Sequence, residues 1–282
     1  MVSPAKISEA LELTLHGISL GVVVHFQDDK NQLVFNPDYL CMGDSRPTLT
    51  LAQIANSRFL QEIHRSSRRL PAILSNLLPE GVLREWMAKT LKVDVNNEFP
   101  MLAYSGSGLP GALIATPISE NDAHHWAAIS GSPIVNVKPH VPDAYGKVNG
   151  FSLAGVQIKF SGRRKGARYN LRQSDNNKWI IKTPSIVHAN APENEYTSMR
   201  LAESIGVTIP DIELIQLSQL DNLPDIRLPN EKFAYAIRRF DRAKEDGDLT
   251  RIHTEDFAQV FGSYSHEKYL NQNQEMIGAV LY

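Results

Sequence analysis

The 282-residue sequence predicts an α+β fold built from two segments, each mixing antiparallel strands with helices. Three observations carry this expectation. Runs such as LELTLHGISLGVVVHF and QLVFNP alternate apolar and polar residues, the period of a half-buried strand. Others, such as GVLREWMAKTLKV and NEYTSMRLAESIG, repeat their apolar residues at helical spacing. Between the two segments, SGSPIVNVKPHVPD (residues 130–143) is proline-rich and aperiodic, which reads as a connector.

Taken in order, the first segment opens with two alternating runs joined at His16-Gly17, and QLVFNP supplies a third strand. TLTLAQIANSRFLQEIHRSSRRL and LPEGVLREWMAKTLKV both have helical spacing. The second carries Pro79 and Glu80 in its first turn, where a missing N–H and a negative charge are tolerated. ALIATPI reads as a strand. In the second segment FSLAGVQIKF, ARYNLRQ and KWIIKTP read as three consecutive antiparallel strands with polar turns. A helix follows at NAPENEYTSMRLAESIG, starting near Asn190 or Pro192 and ending with Gly206 at C′. IPDIELIQL and KFAYAIRRF add two strands, and HTEDFAQVFG opens a last helix with Thr254 as N-cap. The order β-β-β-α-β-β is that of a protein-kinase small lobe, which suggests a topology and no more.

Composition narrows the function classes. With 42% hydrophobic and 21% charged residues the chain is globular in type, and its formal charge of -2 creates no global field for nucleic acid or anionic lipid. Cys41 is the single cysteine, so an internal disulfide is excluded and a reducing compartment fits. The N-terminal MVSPAKISEALELTLHG lacks the apolar core of a signal peptide, and no apolar run approaches the roughly 18 residues of a membrane span. A cytoplasmic protein with no membrane partner is the expectation. The nine histidines show no metal-ligand spacing.

Two constellations admit chemistry. Gly155 permits close backbone approach to a phosphate, and Lys159, Arg163, Arg164 and Lys165 follow it. The same residues suit a solvated hairpin whose cations keep a sheet edge from pairing. Lys182 ends the apolar run WIIK, and Glu195 stands thirteen positions later on the following helix. A kinase-like lobe uses such a pair to clamp phosphates; a strand lysine that snorkels to water beside a solvated glutamate is the other reading. The basic cluster Arg163, Arg164, Lys165, Arg168 and Arg172 lacks aromatic interleaving, so nucleic-acid binding is the weaker reading. GSGLPG mimics a dinucleotide fingerprint at Gly106, Gly108 and Gly111, but a strand follows it where a helix is required. RRFDR mimics a kinase catalytic loop without the asparagine that would follow Asp241.

FSLAGVQIK, WIIKTP, ENEYTSMRLAESIGV, AIRRFDR and HTEDFAQVFG, in this order and spacing, resemble the HipA-type serine/threonine kinases, the toxin components of bacterial type II toxin–antitoxin modules. LPAILSNLLPEGVLREWM and GSGLPGAL resemble that family's N-terminal subdomain, so the likeness covers essentially the whole chain. It implies a HipA-like N-terminal subdomain over 1–129, a connector over 130–148, and a kinase-like small lobe over 149–262 with an antiparallel sheet and one helix. Residues 263–282 would begin a helical lobe. Position by position, the resemblance implies that Ser152 is a regulatory autophosphorylation serine and that Ala154, Gly155, Val156, Gln157, Ile158 and Lys159 form the phosphate-binding loop. Lys182 matches the phosphate-contacting lysine, with Glu195 on the helix beside it. Arg238, Arg239 and Phe240 fall on the hinge that holds adenine through its backbone, where Arg238 replaces an often acidic residue. The implied cofactors are ATP and Mg²⁺, and the implied reaction is phosphorylation of a serine on a protein such as an aminoacyl-tRNA synthetase. The implied partner is a HipB-type DNA-binding antitoxin, with no direct nucleic-acid contact.

The resemblance also has a departure. Such kinases continue into a lobe that carries a catalytic aspartate and a metal-binding asparagine and aspartate, and no residue of SYSHEKYLNQNQEMIGAVLY takes these roles. The expectation is therefore an N-terminal portion with no catalytic or metal-binding residue of its own, inactive alone. The alternative, of a different class, is a non-catalytic regulator that binds a HipA kinase or its antitoxin.

Overall fold

The computed structural model describes residues 7–119, 121–131, 158–172, 177–245, 248–268, 270 and 272–282. The chain is α+β and divides into two compact units, one from residues 1–78, 87–141 and 253–282, the other from 79–86 and 142–252. No described helix is long and apolar enough to cross a membrane.

In the first unit, β1 (Ile7–Leu15), β2 (Ile18–Phe26), β3 (Lys30–Phe35), β4 (His64–Ser67) and β5 (Leu113–Pro117) form an antiparallel sheet in the order β4-β3-β2-β1-β5. The β1–β2 turn has His16 and Gly17 both at positive φ, 51° and 78°, the two-residue geometry whose twist matches that of the flanking strands. Five described helices belong to this unit, α1 (Pro37–Cys41), α2 (Ala52–Ala55), α3 (Ala72–Ser75), α5 (Phe99–Ser105) and α6 (Ala123–Ser130), while the division between the units falls within α4 (Gly81–Leu91), after Trp86. Trp126 of α6 packs with Ala10, Val22, Val24 and Ile118, and each large side chain so buried contributes about 2–3 kcal/mol of transfer free energy.

One expected helix is replaced. TLTLAQIANSRFLQEIHRSSRRL holds the four-residue α2, a 3₁₀ turn at Phe59–Gln61, and then β4. Its apolar spacing is helical, yet residues 64–67 find open backbone groups along the edge of β3, and pairing with a strand distant in sequence overrides local preference.

The second unit is organised on a six-stranded sheet in the order β10-β7-β6-β8-β11-β9. Its strands are β6 (Lys159–Lys165), β7 (Arg168–Asn170), β8 (Trp179–Lys182), β9 (Ile212–Gln216), β10 (Leu220–Asp221) and β11 (Phe233–Arg238). All neighbours are antiparallel except β10 and β7. A separate ribbon pairs β12 (Arg242–Glu245) with β13 (Asp248–Arg251). The longest helix among the described residues, α7 (Ala191–Ser204), packs against β11 and β9 and ends as expected, with Gly206 at φ 92°. Asn190 precedes α7 at φ 55° and makes no side-chain cap, so the start is carried by Pro192 in the first turn.

Residues 253–282 belong to the first unit and contain α8 (Phe257–Val260) and α9 (Gln274–Leu281). Asp256, not Thr254, caps α8: its carboxylate accepts from Gln259 N at 2.8 Å while the Gln259 side chain accepts from Asp256 N at 2.9 Å.

Candidate functional site

Lys182 lies at the end of β8, the middle of the larger sheet, with Lys159 opposite it on β6 and Tyr235 opposite it on β11. The helical phase of α7 brings Glu195, in the second turn, over the same point. Lys182 Nζ donates to Glu195 Oε2, and both side chains keep about a quarter to a third of their surface exposed (25% and 30%). Nζ also stands 5.7 Å from the centre of the Tyr235 ring, a cation–π distance. The ammonium is thus held by one carboxylate and one ring face while remaining open to a further anion.

Beside the pair is a cavity of about 500 Å³ lined by Ile158, Ile186, Val187, His188, Asn194 and Glu195 among others. Its floor is anchored by backbone pairing: the Thr183 N–H and hydroxyl both donate to Ile158 O, at 3.0 and 3.2 Å. The residues expected to form a hinge lie apart from this cavity, around a second concavity of about 440 Å³ that includes Thr208, Pro210, Asp211, Arg238 and Phe240. Arg238 is half exposed and binds Asp211 twice, through its backbone N–H at 2.8 Å and its guanidinium at 2.9 Å. Phe240 is 68% exposed.

Arg239 and Arg242 border the same concavity but are buried. Arg239 is 3% exposed and forms a two-pronged contact with Asp241 at 2.8 and 2.6 Å, and Arg242 Nη1 reaches the same carboxylate at 2.9 Å. Asp241 is therefore sequestered between two guanidiniums.

Of the residues expected to bind nucleotide, Ile158, Lys159, Lys182 and Glu195 gather at one place, and Arg238 and Phe240 at another, with Arg239 buried at its border. Ser152, Ala154, Gly155, Val156 and Gln157 lie outside the described residues. Tyr235 is the contact that sequence reading missed. Its alternation in FAYAIR marks it as inward-facing, but only the β8–β11 register places it against Lys182. Burial, followed by the charge of Glu195, pushes its phenol up to about 12.

The residues present fit a nucleotide phosphate, since a braced, part-exposed ammonium beside a cavity is what such a group needs. For a metal they offer less: among the described residues no group of three or more His, Cys, Asp or Glu is disposed to hold one.

Comparison with known proteins adds the lineage. Residues 11–116 match the HipA N-terminal domain and residues 151–281 the HipA-like C-terminal domain. A Sinorhizobium fredii protein named "Putative kinase Y4dM" is 34% identical over 276 residues, covering 96% of this chain and 64% of that one. The serine/threonine-protein kinase toxin HipA of Shewanella oneidensis is 23% identical over 212 residues, covering 72% of this chain and 46% of its own length. The chain thus spans between about half and two thirds of these relatives. The structure of the Shewanella oneidensis HipA, HipB and operator DNA complex contains a chain that shares the fold, with TM-score 0.55 and 21% identity over 94% of this chain and 60% of that one. The match to the C-terminal domain through residue 281 lends no support to the expected absence of a catalytic lobe.

Proposed function

Because the chain belongs to the HipA family, we propose that it carries the nucleotide-gripping part of an ATP-dependent protein kinase, with Lys182 as the phosphate-binding cation and Glu195 as its brace. The Lys182–Glu195 pair beside a cavity is the observation that supports this reading. A partly exposed ion pair contributes little to stability, about 0–1 kcal/mol, so a pair so placed is better accounted for by a ligand than by the fold. ATP would supply the phosphoryl group; the chain's own residues would orient its phosphates, with Lys159 adding a second cation one strand away.

In the same reading, residues 149–262 form the nucleotide-binding lobe and residues 1–129 the N-terminal subdomain. Residues 154–159 are the phosphate-binding loop and Ser152 is the regulatory serine, whose phosphorylation would add about two negative charges where ATP must sit. The acceptor is a serine on a translation-related protein such as an aminoacyl-tRNA synthetase, and a HipB-type antitoxin is the partner. Mg²⁺ is assigned no step, because the described residues present no donor set for it.

Binding of a fluorescent ATP analogue tests the central claim. Loss of a charge-assisted hydrogen bond is worth about 1.5–3 kcal/mol, so Lys182→Ala is expected to weaken binding about 10- to 100-fold, and Glu195→Gln by less. Equal affinity of the wild type and Lys182→Ala would overturn the assignment. Phosphate mapping after incubation with Mg-ATP then separates a kinase, modified at Ser152, from a non-catalytic regulator.

A further inference from the structure

The hairpin β6–β7 carries a second electropositive site. Strand alternation puts Lys159, Arg163 and Lys165 on one face of β6. Arg163 is four residues beyond the position paired with Lys182, about 13 Å along the strand at about 3.3 Å per residue, so the two sites are separate. At the hairpin end a concavity of about 320 Å³ is lined by Arg163, Arg164, Lys165, Asn170, Arg172 and Asn177, with no carboxylate in the lining; Arg164 is paired with Glu213 behind it, which leaves Arg163, Lys165 and Arg172 as the cations without a carboxylate partner there.

Several of these groups are held in place from behind. Arg164 pairs with Glu213 and lies over the rings of Tyr169 and Trp179, at 6.0 and 5.9 Å. Arg172 Nε donates to Asn222 Oδ1 at 3.1 Å. Asn177, 3% exposed, donates to the Arg172 and Ser161 carbonyls at 2.9 and 3.1 Å and so ties the bend after β7, where Arg172 sits, to β6. The adjacent Arg168 is neutralised by Asp221 through contacts at 2.9 and 2.6 Å. Arg163 and Lys165 are exposed, and among the described residues neither side chain has a partner.

Converging cations without a carboxylate call for an anion. Its chemistry follows from what the lining lacks. No apolar side chain is present to anchor a peptide at the centre of an interface. Tyr169 and Trp179 are 1% and 8% exposed, so no base can stack on them. Guanidinium forks recognising phosphate oxygens are what remain. We propose that this concavity binds a linear phosphate polymer without regard to sequence, its shared chemistry being the repeated phosphate of a nucleic-acid strand or of inorganic polyphosphate. The missing aromatic interleaving argued against nucleic acid in the sequence, but contact with a backbone alone requires none.

The test is fluorescence anisotropy of the full chain with a labelled single-stranded oligonucleotide of mixed sequence, titrated with salt. Three neutralised phosphates, one each for Arg163, Lys165 and Arg172, predict a slope of log K against log salt of about -2. Arg163→Gln with Lys165→Gln, which removes no described contact, is expected to weaken binding about tenfold and flatten the slope by about 1.4. Lys182→Ala should change neither. Stronger binding of the oligonucleotide than of polyphosphate assigns the nucleic acid as source, and the reverse assigns the inorganic polymer. The proposal is overturned by no binding of either, by binding that survives the double substitution, or by equal displacement with polyglutamate. Displacement by ATP in the wild type but not in Lys182→Ala would also overturn it, since the anion would then occupy the Lys182 site.

Discussion

Two ion pairs of the second unit differ in burial, and so in what their removal costs the fold. Lys182 and Glu195 are each about a quarter to a third exposed, and either can be removed without leaving a charge in the interior. Asp241 is 6% exposed and serves two guanidiniums, Arg239 and Arg242, themselves 3% and 4% exposed. Neutralising it removes the negative charge on which two buried guanidiniums converge. Asp241→Asn is therefore expected to destabilise the fold by about 3–5 kcal/mol, whereas Asp211→Asn, which loosens the exposed pair with Arg238, should change it by less than about 1 kcal/mol. Urea denaturation of both variants checks this, and similar midpoints would refute the structural role of Asp241. At this scale Lys182 was legible, because a cation ending an apolar strand is conspicuous. The function of RRFDR as an interior ion cluster was not, because a sequence does not state which of two adjacent arginines turns inward.

Among the elements, the passage from α5 to β5 explains a motif that chemistry does not. Gly106, Gly108 and Gly111 have dinucleotide-site spacing, yet a side chain at Gly106 would place its Cβ 2.2 Å from Ala115 O and 2.9 Å from Ala115 Cβ. The Ala115 N–H donates to Gly106 O at 3.0 Å, so the glycine exists to let the turn lie directly on the strand. Because the obstacle is backbone, it cannot swing away. Gly106→Ala is expected to destabilise by about 2–4 kcal/mol. Gly131→Ala, with φ 74° and nothing within 4 Å, should lose only about 1 kcal/mol. Thermal melts of the two proteins should differ by several degrees. Most elements were readable from period and punctuation: the hairpin at His16-Gly17, α7 and the strands β8, β9 and β11 fall where the pattern put them, and α4 does too except at its start, where Pro79 and Glu80 precede the helix instead of forming its first turn and Gly81 opens it. Those that were misread depend on remote partners. Residues 64–67 become a strand on the edge of β3, and the Leu51 N–H at the start of α2 is satisfied by Glu255, 204 residues away. No local window contains that information.

For the whole molecule, the two units share a liability toward alkali that their phenols make predictable. Tyr104 in the first unit and Tyr235 in the second have buried hydroxyls with no hydrogen-bond partner, and burial pushes both phenols up to about 12 from the ordinary value of 10.0. In the unfolded chain each loses its proton near pH 10, while the folded chain keeps it. Between pH 10 and 12 the folded state binds more protons, so stability falls as pH rises, by up to about 1.4 kcal/mol per pH unit for each phenol. Below pH 10 both states are protonated and the effect vanishes. Urea midpoints measured from pH 8.5 to 11 should thus be level at first and then decline. Tyr235→Phe and Tyr104→Phe each delete an unsatisfied hydroxyl, so neither should lower stability at pH 7 appreciably, and each should flatten the alkaline decline of its own unit. A decline that persists unchanged in both variants would mean that other groups carry it, and the burial of these two phenols would not be the cause.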